Sequence, residues 1–186
     1  MRDFLLDTQT LRYWYDEECM QHAAVIDNIE LLKKKARPLE HKPRLWVSVL
    51  TLGEIEFGHR VQTGDFTKKQ EAFNQFVHQE LRLHQEVTDD AVTAYGEIRS
   101  RLFNKYAPGA KRKPKMRPQQ LTDPITALAL TIQENDLWLC AQAVGHGMVL
   151  VTNDKMDAIR NASKGMEPAL LIENWTRVGT AALPRC

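Results

Sequence analysis

Four acids in this chain stand where strands end or helices begin. Asp7 follows the apolar run FLL, Glu54 lies in TLGEIEFG just after a second apolar run, Asp136 opens the helical pattern DLWLCAQAVG, and Asp154 is the third residue after the apolar run MVLV. Carboxylates gathered on one edge raise one another's pKa, and the conflict is relieved by a divalent cation. Mg2+ and Mn2+ are hard ions that take oxygen ligands, retain several waters and need few protein carboxylates when a phosphate supplies the rest. The chemistry that follows is attack of a metal-activated water on a phosphodiester. No Ser/His/Asp set, phosphate-binding P-loop or Gly-rich dinucleotide turn competes with it.

The acids converge only if the elements between them alternate. Residues 4–6 read as a strand, and 11–36 carry Val25, Ile29 and Leu32 at helical spacing, predicting one long helix. Residues 45–49 are β-like and precede a helix-compatible stretch. Apolar stripes at Phe73, Phe76, Val77 and Leu81, and at Val92, Tyr95, Ile98 and Leu102, predict two amphipathic helices. Asn135 is a candidate cap for a helix from Asp136, Gly145 or Gly147 its end, 148–152 the next strand and 169–172 a closing one. Such alternation predicts an α/β domain with a mostly parallel central sheet flanked by helices. The strands' carboxyl ends then share one edge, where ligands bind.

The blocks FLLDTQTL, SVLTLGEIEFG and ENDLWLCAQAVGHGMVLVTND, in that order, resemble the signature blocks of PIN-domain ribonucleases, especially the VapC-like toxins of type II toxin–antitoxin pairs. The resemblance covers most of the chain. It implies a three-layer α/β/α PIN-like fold and a Mg2+- or Mn2+-dependent endoribonuclease acting on RNA, usually a homodimer silenced by a cognate antitoxin. The matching acids are Asp7, Glu54, Asp136 and one of Asp154 and Asp157, with Asp154 preferred because it is nearer the strand end. The chain departs from the family at Gln9, where an Asn is common, and at Ala158, where an aromatic is often found.

Each residue also has a plainer explanation. Thr51-Leu-Gly-Glu54 fits a capping box, and Asp136 would favour a helix dipole. Asp7 is harder to dismiss, since a strand end needs no acid. Thr8, Ser48, Thr152 and Asn153 are candidate supports for the acids or for substrate, although Ser48 also suits a helix cap and Thr152 and Asn153 a turn. Trp138 reads as a core or dimer contact. Lys111, Arg112, Lys113, Lys115 and Arg117 lie in a Pro-rich insertion at about 107–124, and either grip RNA phosphates or form a solvated loop.

The bulk composition narrows the remaining choices. A length of 186 residues, with 43% hydrophobic and 26% charged, predicts a single globular domain spanning 1–186. No apolar run is long enough for a membrane span, and MRDFLLD is too short for a secretory signal, so the cytoplasm is the expected compartment. Three cysteines without metal spacing suggest reduced thiols, and six scattered histidines argue against zinc. Two alternatives stand beside the nuclease. One is a PIN-fold RNA-binding protein without turnover; the other is a haloacid-dehalogenase-like phosphatase, which needs a second Asp where Gln9 stands.

Overall fold

The computed structural model describes residues 2–35, 42–62, 65–81, 84–110 and 115–177. They form two compact units. The first comprises residues 1–86, 148–154 and 172–186, and the second residues 87–147 and 155–171.

The first unit is built on a five-stranded sheet. Its strands are β1 (Phe4–Leu6), β2 (Leu45–Ser48), β3 (His84–Gln85), β4 (Val149–Val151) and β5 (Leu171–Glu173), in the spatial order β3-β2-β1-β4-β5. β1 pairs in parallel with both β2 and β4, and β2 with β3. All three residues of β1 and of β4 are buried, as continuous apolar runs in a parallel sheet should be. Each such Leu or Phe contributes about 1.5–3 kcal/mol on burial. The register sets Leu6 opposite both Val47 and Val151, so the next residues of the three strands, Asp7, Ser48 and Thr152, come off one edge together.

Helices α1 (Thr8–Tyr15) and α2 (His22–Lys35) connect β1 to β2 where one helix was expected. The interruption has a local cause. Asp16 turns its carboxylate onto the chain just ahead, accepting from the Glu18 N–H at 3.1 Å and the Cys19 thiol at 3.3 Å, while its carbonyl takes the Cys19 N–H at 3.0 Å. An Asp side chain offering the backbone such bonds competes with helix continuation. Val25, Ile29 and Leu32 of α2 are buried as the spacing predicts. The buried Asn28 amide holds the carbonyls of Trp175 (3.3 Å) and Arg177 (2.8 Å), and Trp175 packs on Phe4 with ring centroids 5.3 Å apart.

Between β2 and β3 run α3 (Val49–Arg60) and α4 (Phe66–Glu80). Phe73, Val77 and Leu81 are buried, and Phe76 meets Trp14 edge-on at 5.3 Å. β3, only two residues long, carries no periodicity by which a sequence could announce it.

The second unit holds α5 (Asp89–Tyr106), α6 (Glu134–Gly145) and α7 (Asp157–Ala162). The buried face of α5 is Ala91, Ala94, Ile98, Leu102 and Phe103, so the expected stripe is shifted: Val92 is exposed and Tyr95 half-buried. Small residues win that face because α6 comes very close. A Cβ on Gly145 would lie 2.8 Å from the Asp90 carbonyl carbon. α6 begins two residues before the expected Asp136, and Gly147, at φ +62°, turns the chain after its end. The irregular segment beyond α5 reaches Gln133 rather than 124. Pro118 and Leu121 are buried in it, and an antiparallel bridge joins Thr122 to Ala129.

Candidate active site

Strand order reverses beside β1. The chain goes from β1 outward to β2 and β3, then returns to place β4 on the other side of β1. In open parallel sheets the crevice at such a reversal, beyond the strands' carboxyl ends, is where ligands bind. Asp7 and the segment Thr152-Asn153-Asp154 leave the adjacent strands β1 and β4 at that edge.

Asp7 is almost wholly buried, at 4% exposure. Its N–H continues the sheet to the Val151 carbonyl at 3.0 Å, and its Oδ1 accepts the Thr10 N–H at 2.6 Å, making Asp7 the N-cap of α1. The strand-end acid therefore has a structural duty that its position in the sequence did not suggest. Capping does not make it comfortable. Burial pushes its pKa above the ordinary aspartate value, hydrogen bonds from Thr152 and Thr10 pull it back, and the charge of Asp154 raises it further.

Thr152 joins the two acids. Besides its bond to Asp7, its hydroxyl accepts the Asp154 N–H at 3.0 Å, while its own N–H is fixed to the Glu173 carbonyl at 2.9 Å. Asp154 is exposed and its charge is felt at Asp7; Asp157, the first residue of α7, acts instead on the Tyr106 hydroxyl. Asn153 points elsewhere, its Oδ1 accepting from the Asn174 amide at 3.0 Å and the Thr176 hydroxyl at 3.4 Å. It supports the turn.

The capping box expected at Thr51 and Glu54 does not form. Ser48 caps α3, its hydroxyl accepting the Leu50 N–H at 3.1 Å, which leaves Glu54 in the second turn. There its half-buried carboxylate accepts the hydroxyl of Thr8, the residue after Asp7. So Ser48 is a helix cap, and Glu54 is tied to the neighbour of Asp7. Thr51 is fully buried and its hydroxyl has no hydrogen-bond partner among the described residues.

Asp136 belongs to the second unit. It sits in the first turn of α6, where its Oδ2 accepts the Gln133 N–H at 2.9 Å. At Glu134, two residues before it, lies a cluster that no sequence pattern announced. The Arg99 guanidinium donates to Glu134 at 2.7 Å and to the Met116 carbonyl at 3.0 Å and also contacts the Tyr95 hydroxyl, which donates to Glu134. Trp138 stacks on Tyr95, rings 3.9 Å apart and 11° from parallel, so it is an intramolecular packing residue. Lys115 and Arg117 are exposed. Lys111, Arg112 and Lys113 lie outside the described residues.

Among the described residues no three His, Cys, Asp or Glu side chains form a ready-made metal cage. The donor set at the crevice is nonetheless the kind a hard dication takes: oxygen only, with one buried carboxylate of raised pKa under the field of a second. Mg2+ is commonly held by one or two carboxylates, with waters and substrate oxygens completing six positions.

Comparison with known proteins places this geometry. No family model matches the chain, and no curated protein does. Several solved structures share its fold. A chain of the VapBC2 structure from Rickettsia felis, bound to a DNA fragment from their promoter, is 22% identical, with TM-score 0.59 over 92% of this chain and 98% of that one. VapBC-1 from nontypeable Haemophilus influenzae gives 18% identity and TM-score 0.56 over 94% and 98%. VapBC-5 from Mycobacterium tuberculosis, of the VapBC family of toxin-antitoxin systems, gives 21% and 0.51 over 96% and 100%. The α/β fold expected from the sequence is thus the fold of VapBC proteins.

Proposed function

We propose that this chain is a VapC-like PIN toxin, a Mg2+- or Mn2+-dependent endoribonuclease that hydrolyses RNA phosphodiester bonds. The observation that carries the proposal is Asp7, buried with its pKa raised and linked through Thr152 to Asp154 at the edge where the strand order reverses. Asp7 and Asp154 would hold the ion, with Glu54 as a further acid of the same unit. When bound, such an ion supplies a water of lowered pKa and charge stabilisation at the phosphoryl oxygens. Thr152 donates to Asp7 and offsets part of the rise in its pKa that burial causes. Thr8, the residue after Asp7, holds the Glu54 carboxylate, and the Thr10 N–H fixes the Asp7 rotamer.

Lys115 and Arg117, with Lys111, Arg112 and Lys113, would contact the RNA backbone, each phosphate contact adding salt-dependent affinity. A homodimer, a cognate antitoxin and a cytoplasmic location belong to the same reading, supported by the fold shared with toxin-antitoxin structures. No helix among the described residues is long and apolar enough to cross a membrane. The phosphatase alternative gains no support from Gln9, whose amide oxygen accepts the Tyr13 hydroxyl at 2.8 Å on the surface. The test is cleavage of folded RNA transcripts by the purified chain. Cleavage with Mg2+ or Mn2+, stopped by EDTA and absent in Asp7→Asn, supports the proposal; hydrolysis of small phosphoesters without RNA cleavage refutes it.

A further inference from the structure

We propose that Arg99 is a positioning residue, a mechanical link that fixes the spacing between the basic segment that grips RNA and the first turn of α6 that carries Asp136. The inference rests on the nuclease reading and goes beyond it. One guanidinium spans three pieces of chain that are remote in sequence. From α5 it reaches Glu134, the first residue of α6, at 2.7 Å, and the Met116 carbonyl at 3.0 Å, between exposed Lys115 and Arg117. Its face lies over Tyr95 and Phe103, with the guanidinium carbon 5.6 Å and 5.4 Å from the ring centroids. Tyr95 in turn donates to Glu134 and stacks on Trp138, one turn further along α6.

The geometry suits Arg and not Lys. A planar fork can satisfy a carboxylate and a carbonyl at once while stacking on aromatic faces, and an ammonium on a flexible stem cannot hold all three. The pair is about one-third exposed on each side, so its direct contribution to stability is small. Its value is geometric. Asp136 is two residues from Glu134, and displacing a catalytic group by about 1 Å is enough to cost about a hundredfold in rate. Substrate held by Lys115 and Arg117 would be presented to Asp136 at a distance set by this one side chain.

The test compares wild type with Arg99→Lys, which keeps the charge and loses the fork, on a labelled stem-loop transcript in Mg2+. The expected result is a kcat lowered about 10- to 100-fold. RNA binding, measured in an Asp7→Asn background to prevent cleavage, keeps its affinity within about threefold and its salt slope, because the cation count is unchanged. Amide hydrogen exchange at 133–136 and at 116–121 should quicken together. An unchanged kcat, or exchange that quickens in only one of the two segments, overturns the link. If Arg99→Lys fails to fold, Glu134→Ala removes the acceptor on the α6 side alone and must reproduce the loss of kcat; an unchanged kcat overturns the proposal. If wild type cleaves no RNA, the nuclease reading falls, and joint quickening of exchange still decides whether the link exists.

Discussion

The Thr152 hydroxyl hydrogen-bonds the Asp7 carboxylate while accepting the Asp154 N–H at 3.0 Å, so a single side chain both favours the charged form of the buried acid and holds its partner in place. A hydrogen bond to a charged group contributes about 1.5–3 kcal/mol. Thr152→Val keeps the shape and removes the bond. Asp7 then titrates at still higher pH, and the acid limb of the cleavage-rate profile moves upward in pH. Mg2+ affinity, measured calorimetrically near neutral pH, should fall about tenfold or more.

Asp7 also sets the stability of the metal-free protein. Its folded-state pKa lies above the unfolded one, so its contribution is fully present below the unfolded value and is lost as pH rises through the folded value. Asp7→Asn removes this loss while retaining an oxygen to accept the Thr10 N–H. In EDTA at neutral pH the variant should melt at a higher temperature than wild type, and it should be inert toward RNA. Mg2+ should raise the wild-type Tm and leave that of Asp7→Asn nearly unchanged.

Asp154 and Asp157 are separable by the same assay. Asp154 acts on Asp7, whereas Asp157 acts on Tyr106 at the start of α7. Asp154→Asn should abolish Mg2+-induced stabilisation and lower the folded-state pKa of Asp7, read by NMR titration of its carboxyl carbon. Asp157→Asn should leave both unchanged.

The close approach of α5 and α6 gives a prediction independent of chemistry. At Gly145 an added Cβ would meet backbone atoms of Asp90 and Ala91 at 2.8–2.9 Å, and backbone cannot swing aside. Gly145→Ala should cost about 1–3 kcal/mol and lower the Tm by several degrees, despite the better helix propensity of alanine.

What the sequence revealed and what it hid follow from the range of the forces involved. β1 and β4 were legible because each is a continuous apolar run bounded by polar residues, and Asp7 and Asp154 because they stand just beyond those runs. The break between α1 and α2 was hidden, since Val25, Ile29 and Leu32 keep helical spacing and only the side-chain bonds of Asp16 end α1. The capping box offered as the plainer explanation of Glu54 does not form, because Ser48 takes the cap one turn earlier, where the strand already fixes its backbone. The role of Asp7 as a cap and the hub at Arg99 depend on atoms that meet only after folding. No local pattern announces them.

The claim on which the rest depends is that Asp7 and Asp154 together hold a hard dication at the sheet's carboxyl edge. Anomalous diffraction from crystals soaked in Mn2+ reads this directly. The account predicts one strong peak within coordination distance, about 2.0–2.3 Å, of carboxylate oxygens from both residues. A saturating soak whose Mn2+ peaks all lie away from Asp7 would contradict it.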